Sequence, residues 1–202
     1  YIDMLDPQKS YFLQADITSF EQWATDLDNL LSVGDVSPGF AVYNRLRLRA
    51  LDQLESNIAL LKTDFVFDLE SQSSLLVDSE KRLWLSSPEE AKSYWIKRMT
   101  DSLIRLLLND KEPIAARELL IKRFENQLKQ FKQRDSEDVF QLYVNALAGL
   151  YDPHTAYYSP RTSENFQISM SLSLEGIGAE LRTEDDCTLV ARIIPGGPAD
   201  AQ

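Results

Sequence analysis

Three proline-led openings, Ser37-Pro38, Ser87-Pro88-Glu89-Glu90 and Pro113, punctuate this chain, and each starts a run in which apolar residues return every three or four positions. Serine ahead of the first turn caps it, and proline fits the first helical position, where its missing N–H has no intrahelical acceptor to lose. Glu89 and Glu90 face the positive end of the helix dipole. The stripe Tyr43, Leu46, Ala50, Leu54, Ile58, Leu61 follows the first opening. Trp95, Met99, Leu103, Leu107 follow the second, and Leu120, Phe124, Leu128, Phe131 the third. Such stripes are apolar helix faces that need burial. Two more helices are predicted. Asp16 caps one carrying Ile17, Phe20, Ala24, Leu27 and Leu31, which Gly34-Asp35 stops; Ser136 caps one carrying Val139, Phe140, Tyr143, Val144 and Leu147. No set of histidines, cysteines or carboxylates converges on any stripe, so these are packing faces rather than cofactor boxes. Residues 64–86 break the period: Phe65 and Phe67 alternate, as do Leu83 and Leu85, which predicts short strands or a docked loop.

The character changes after Gly149. Tyr151-Asp152-Pro153-His154-Thr155-Ala156-Tyr157-Tyr158-Ser159-Pro160 is an aromatic, proline-punctuated turn region. A short helix is expected from Glu164 to Ile168, and from Ser169 the pattern turns β-like. Ser171 to Leu174 alternate, Ala179-Glu180-Leu181 follows a glycine pair, and Leu189 to Ile194 reads as a buried strand. The fold class is mainly α, with a helical part over 1–160 and the first β-strands of a second part over 161–202.

The length of 202 residues suits one large domain or two small ones at roughly 100–200 residues each. The formal charge of −11 disfavours phosphate backbones, so nucleic-acid binding is not expected. Most of the excess lies in the outer segments and reads as a solvated acidic surface. The longest apolar runs, such as Leu106-Leu107-Leu108, fall far short of the ~20 residues that cross a bilayer. One cysteine, Cys187, excludes an internal disulfide framework and a multi-cysteine metal site; one histidine, His154, excludes a multi-histidine site. No metal and no cofactor is expected. There is no initiator Met and no signal peptide at Tyr1, so the chain reads as an internal piece of a longer protein.

Glu175-Gly176-Ile177-Gly178-Ala179 is the most informative stretch. Two glycines around one apolar residue let consecutive N–H groups converge into a nest for a carboxylate or phosphate oxygen. The strand from Ala179 would then offer its edge to an incoming peptide. A mere tight turn satisfies the same spacing. A dinucleotide fingerprint does not, because its third glycine would fall at Leu181. Pro195-Gly196-Gly197-Pro198-Ala199-Asp200 reads as a turn entering a helix. His154 is either a general base beside Thr155 or Ser159 or a loop histidine, and no orienting partner is evident. Cys187 stands beside Asp185 and Asp186, whose charges oppose a reactive thiolate.

Asp152-Pro153-His154-Thr155-Ala156-Tyr157-Tyr158-Ser159-Pro160, Asn165-Phe166 and the run Ser169 to Ala179 resemble the tail-specific (C-terminal processing) serine proteases of bacteria, in particular their long periplasmic form. Leu5-Asp6-Pro7-Gln8-Lys9-Ser10-Tyr11-Phe12-Leu13 and Gly34-Asp35-Val36-Ser37-Pro38 fit the same family. The resemblance implies a helical N-terminal domain over 1–160 and the opening of a PDZ domain over 161–202. It implies that the backbone of Gly176, Ile177 and Gly178 holds a substrate's terminal carboxylate. Leu174 and Leu181 would line the pocket for its last apolar side chain, and Ala179-Glu180-Leu181 would be the pairing strand. Partners would be proteins or peptides with free apolar C-termini, and an adaptor protein is a further possibility. The family's Ser-Lys catalytic pair lies downstream of these motifs, so no catalytic residue is assigned here and this chain alone is expected to be inactive. An alternative from the residues is a non-catalytic helical module that docks an adaptor or partner. A small-molecule binder using Tyr151–Tyr158 rests on composition alone.

Overall fold

The computed structural model describes the chain except for residues 70–72, 77, 172–175, 185–186 and 201–202. The protein is mainly α: the described residues form eight α-helices and one two-stranded antiparallel sheet. They divide into two compact units, Tyr1–Tyr157 and Tyr158–Gln202.

The first unit is helical: α1 (Ile2–Leu5), α2 (Gln14–Phe20), α3 (Leu27–Ser32), α4 (Ser37–Leu61), α5 (Pro88–Leu108), α6 (Pro113–Gln133) and α7 (Ser136–Tyr151). The 25-residue α4 runs through two cores. Its C-terminal half buries Leu54, Ile58 and Leu61 with Trp95, Met99 and Leu103 of α5 and Leu120 and Phe124 of α6. Its N-terminal half buries Val42, Tyr43 and Leu46 with Phe12, Phe20 and Val139. Burying one such side chain stabilises the fold by about 1.5–3 kcal/mol. Gly39 is fixed by this packing, since a Cβ there would lie 2.4 Å from the Tyr143 ring of α7. The N-terminal segment is organised by Asp6, 2% exposed. Its carboxylate accepts the amides of Ser10 at 2.9 Å, Tyr11 at 2.8 Å and Phe12 at 3.1 Å, and the Trp95 indole N–H donates to the Ser10 carbonyl at 2.9 Å. Converging N–H dipoles make a buried carboxylate tolerable.

Several expected boundaries move. The helix expected from Asp16 through Leu31 is broken: α2 ends at Phe20, a 3-10 turn covers Glu21–Trp23, and α3 restarts at Leu27. Phe20 meets Phe12 edge-on at 5.6 Å and stacks on Trp23 at 6.3 Å, so tertiary aromatic contacts override a continuous stripe. Asp16 sits in the first turn rather than before it. It accepts the Leu13 amide at 3.0 Å and a two-pronged Arg49 guanidinium at 2.9 and 3.1 Å. Asp135, not Ser136, caps α7 by accepting the Asp138 amide at 2.9 Å. Ser87 caps α5 as expected. In 64–86 the described residues form no strand; Leu85 makes a single parallel bridge with Leu13. Arg117 of α6 donates to the carbonyls of Leu61, Thr63 and Phe65 at 3.2, 2.6 and 2.8 Å, so a side chain rather than a ladder satisfies that backbone.

In the second unit, α8 runs Pro160–Ser171, longer than the expected 164–168. Residues 169–171 are therefore helical rather than β-like. The Ser169 and Ser171 hydroxyls donate back to the carbonyls of Phe166 and Ile168 at 2.7 and 3.0 Å, which accommodates serine in a helix. β1 (Ala179–Glu184) pairs antiparallel with β2 (Cys187–Ile193). Ala179 stands opposite Ile193 and Arg182 opposite Leu189, with one irregularity between Glu180 and Leu181. The strand expected to be buried is exposed: Leu189, Val190 and Ile193 keep 41%, 60% and 46% of their surface.

Candidate functional site

Gly176-Ile177-Gly178 forms a bend that leads directly into β1. Gly178 has φ +76°, a conformation that side chains with a Cβ rarely adopt. The bend's carbonyls point inward. Ile177 O accepts the Ala199 amide at 3.0 Å, and Gly178 O accepts the Ile194 amide at 2.8 Å. A trans peptide aims its C=O and the following N–H in opposite directions. The amides of Gly178 and Ala179 are therefore directed away from β2 and the 195–200 turn. The Ile194-to-Gly178 bond also makes Ala179 and Ile193 a non-hydrogen-bonded pair, which independently aims the Ala179 amide at the outer edge of β1. Among the described residues nothing accepts from Gly176, Ile177 or Gly178, and no strand pairs with that outer edge.

Adjacent outward N–H groups at a left-handed glycine can hold an anionic oxygen, and an unpaired strand edge can add an extended peptide. Ile177 and Leu181 keep 61% and 49% of their surface. Leu174 lies outside the described residues. What the sequence missed is the back of the bend. Gly197 packs against it so closely that a Cβ on Gly197 would lie 3.0 Å from Gly178 Cα. A Cβ on Gly178 would lie 2.9 Å from Pro198 Cδ. The two glycine motifs are one structure, and their roughly twenty-residue separation was the only signal of it.

The aromatic segment is held differently. Asn145 of α7 donates to the Tyr157 carbonyl at 3.0 Å and accepts the Tyr157 amide at 2.6 Å, a reciprocal clamp that no local pattern announced. The Tyr157 hydroxyl donates to Glu137 at 2.9 Å, and that hydrogen bond raises its pKa above the usual tyrosine value. His154 is exposed in a turn pinned by Asp152, whose carboxylate accepts the His154 amide at 3.0 Å and the Thr155 hydroxyl at 2.8 Å. Those two bonds hold the Asp152 pKa below the ordinary value. Among the described residues no group of three histidine, cysteine or carboxylate side chains is placed to hold a metal ion, and no helix is long and apolar enough to cross a membrane.

Residues 1–161 match the family described as the tail specific protease N-terminal domain. A tail-specific protease of Haemophilus influenzae is 36% identical over 201 residues, covering 99% of this chain and 29% of that protein. The chain thus spans less than a third of that relative's length. With four-fifths of its residues matched by the family's N-terminal domain, and with that identity along its whole length, the chain belongs to the tail-specific protease family.

Proposed function

We propose that this chain is the substrate-gathering front of a tail-specific serine endopeptidase: a helical domain over 1–160, then the opening of a PDZ domain over 161–202 that captures the free C-terminal tail of a doomed protein. The Gly176–Gly178 backbone, with the Ala179 amide beside it, receives the terminal carboxylate. Ala179-Glu180-Leu181 pairs with the tail, and Leu174 and Leu181 flank its last apolar side chain. The observation that carries this reading is the exposed bend at the head of an edge strand, with two adjacent amides turned outward. Hydrolysis belongs to a Ser-Lys pair elsewhere in the protein, where a desolvated lysine serves as the base a histidine supplies in the commoner triad. Chain 1–202 alone binds tails at most and does not cleave them. The protein acts in the periplasm on proteins with accessible apolar C-termini.

Calorimetric titration of the full-length protein tests this, using a peptide with a free apolar C-terminus and its amidated twin. The free acid binds and the amide binds much more weakly; equal affinities defeat the carboxylate role.

A second reading has one observation in its favour. Val66 and Ile114, 84% and 76% exposed, line one cleft on the helical unit with Phe65 and Leu69, an apolar surface suited to docking an adaptor protein. On that reading the glycine bend is only a turn, and proteolysis survives Gly176→Val and Gly178→Val.

A further inference from the structure

Two of the four residues of the bend at 176–179 are glycines, and the Ile177 side chain is 61% exposed, so side-chain packing does little to hold the bend. Gly176 and Gly178 are the least constrained residues a chain can use, and an oxygen-binding nest works only if its amides are fixed before the ligand arrives. Their fixation comes from behind. Ala199 donates to Ile177 O, Ile194 donates to Gly178 O, and the Gly197 backbone seats on Gly178. The seat is tight: a Cβ on Gly197 would meet Gly178 Cα at 3.0 Å and Ile194 O at 3.1 Å, both backbone atoms that cannot rotate aside. Gly197 has no positive φ, so its own conformation does not demand glycine; the demand comes from the bend. The turn that carries Gly197 is itself closed by Asp200. Its carboxylate accepts the Gly196 amide at 2.9 Å, and its own amide donates to the Gly197 carbonyl at 3.0 Å.

We infer that Gly197 and Asp200 are positioning residues for the tail-binding bend: the 195–200 turn clamps the carbonyl side of Ile177 and Gly178 and so sets the direction in which the Gly178 and Ala179 amides face. Neither residue touches the ligand. Both act through the bend, and the inference rests on the carboxylate role proposed for it. Selectivity for a free carboxylate is then set some twenty residues downstream of the loop that receives it.

The experiment is calorimetry on the full-length protein with a free-acid peptide ending in an apolar residue and its amidated twin. The wild-type protein prefers the acid. Gly197→Ala weakens acid binding by at least about tenfold and leaves amide binding unchanged, because the turned amides matter only to the carboxylate. Asp200→Ala reduces the acid-to-amide ratio a few-fold, and Asp200→Asn restores it, since the side-chain amide oxygen still accepts from Gly196. A merely structural role lowers binding of both peptides together. That result, or an unchanged ratio in Gly197→Ala and Asp200→Ala, overturns the inference while leaving the carboxylate reading in place. A wild-type ratio of one overturns the carboxylate reading and this inference with it. Should Gly197→Ala fail to fold, the Asp200→Ala and Asp200→Asn pair decides alone.

Discussion

In the helical unit, Leu54, Ala116 and Met99 are at most 1% exposed, whereas Leu189, Val190 and Ile193 of the strand-bearing unit keep about half their surface. The first unit closes two cores around α4, each fed by at least three segments distant in sequence. The second offers α8 and a single hairpin whose apolar strand residues stay exposed, and a two-stranded sheet is marginal by itself. The polar groups differ in the same sense. Asp6 and Asp16 are buried and fully engaged by amides and arginine, while the amides of the glycine bend face outward. Burial and exposure are thus separated along the chain: the described residues of the first unit close two cores, while the apolar strand positions of the second stay open.

The largest expected effect probes the closed side. Leu54→Ala leaves a void in a fully buried site and lowers stability by about 2–5 kcal/mol, whereas Val190→Ala changes it by about 0.5 kcal/mol or less. Chemical denaturation of both variants measures the gap, and equal losses would erase the contrast. Gly39→Ala forces a methyl into the Tyr143 ring and costs about 1–3 kcal/mol, read from the same denaturation midpoints. Asp6→Ala strands the amides of Ser10, Tyr11 and Phe12 in a buried turn, at about 1–3 kcal/mol, with Trp95 fluorescence reporting the loosened Ser10 contact. Native-state hydrogen exchange on chain 1–202 ranks the units directly: amides in the middle of α4 exchange far more slowly than those of β1 and β2. The smallest effect is at Glu90, whose carboxylate accepts the Ser86 hydroxyl and amide. Those bonds, the hydroxyl's first, hold its pKa below the usual glutamate value. A depressed folded-state pKa contributes stability above the ordinary glutamate range, lost as pH falls through the lowered value. Glu90→Gln therefore slightly flattens the acid limb of a stability-against-pH curve, and solvent screening keeps the change small.

Much of the helical unit was written in local pattern. Ser87 and Pro113 mark where helices begin because caps and proline act within one turn, and the stripe on α4 names its buried face because the period of 3.6 is intrinsic to the helix. The bend at Gly176–Gly178 was legible for the same reason: the positive φ of Gly178 is one that glycine adopts freely. Local pattern fails where a distant group takes over. The break after Phe20 comes from Phe12 and Trp23, and the position of Asp16 from Arg49; for 64–86 the pattern left short strands or a docked loop open, and Arg117 holds the backbone near Phe65 as a loop. The helical state of Ser169–Ser171 was hidden because alternation of small polar and apolar residues fits strand and helix alike over so few positions. Sequence by itself determined which residues are helical faces and which backbone positions are free of side-chain constraint, since both are properties of a few neighbours. Tertiary structure alone decided that Gly197 seats against Gly178 and that the bend's amides therefore face outward. That direction is fixed by the hydrogen bonds from Ala199 to Ile177 and from Ile194 to Gly178, pairs far apart in sequence that no periodicity encodes.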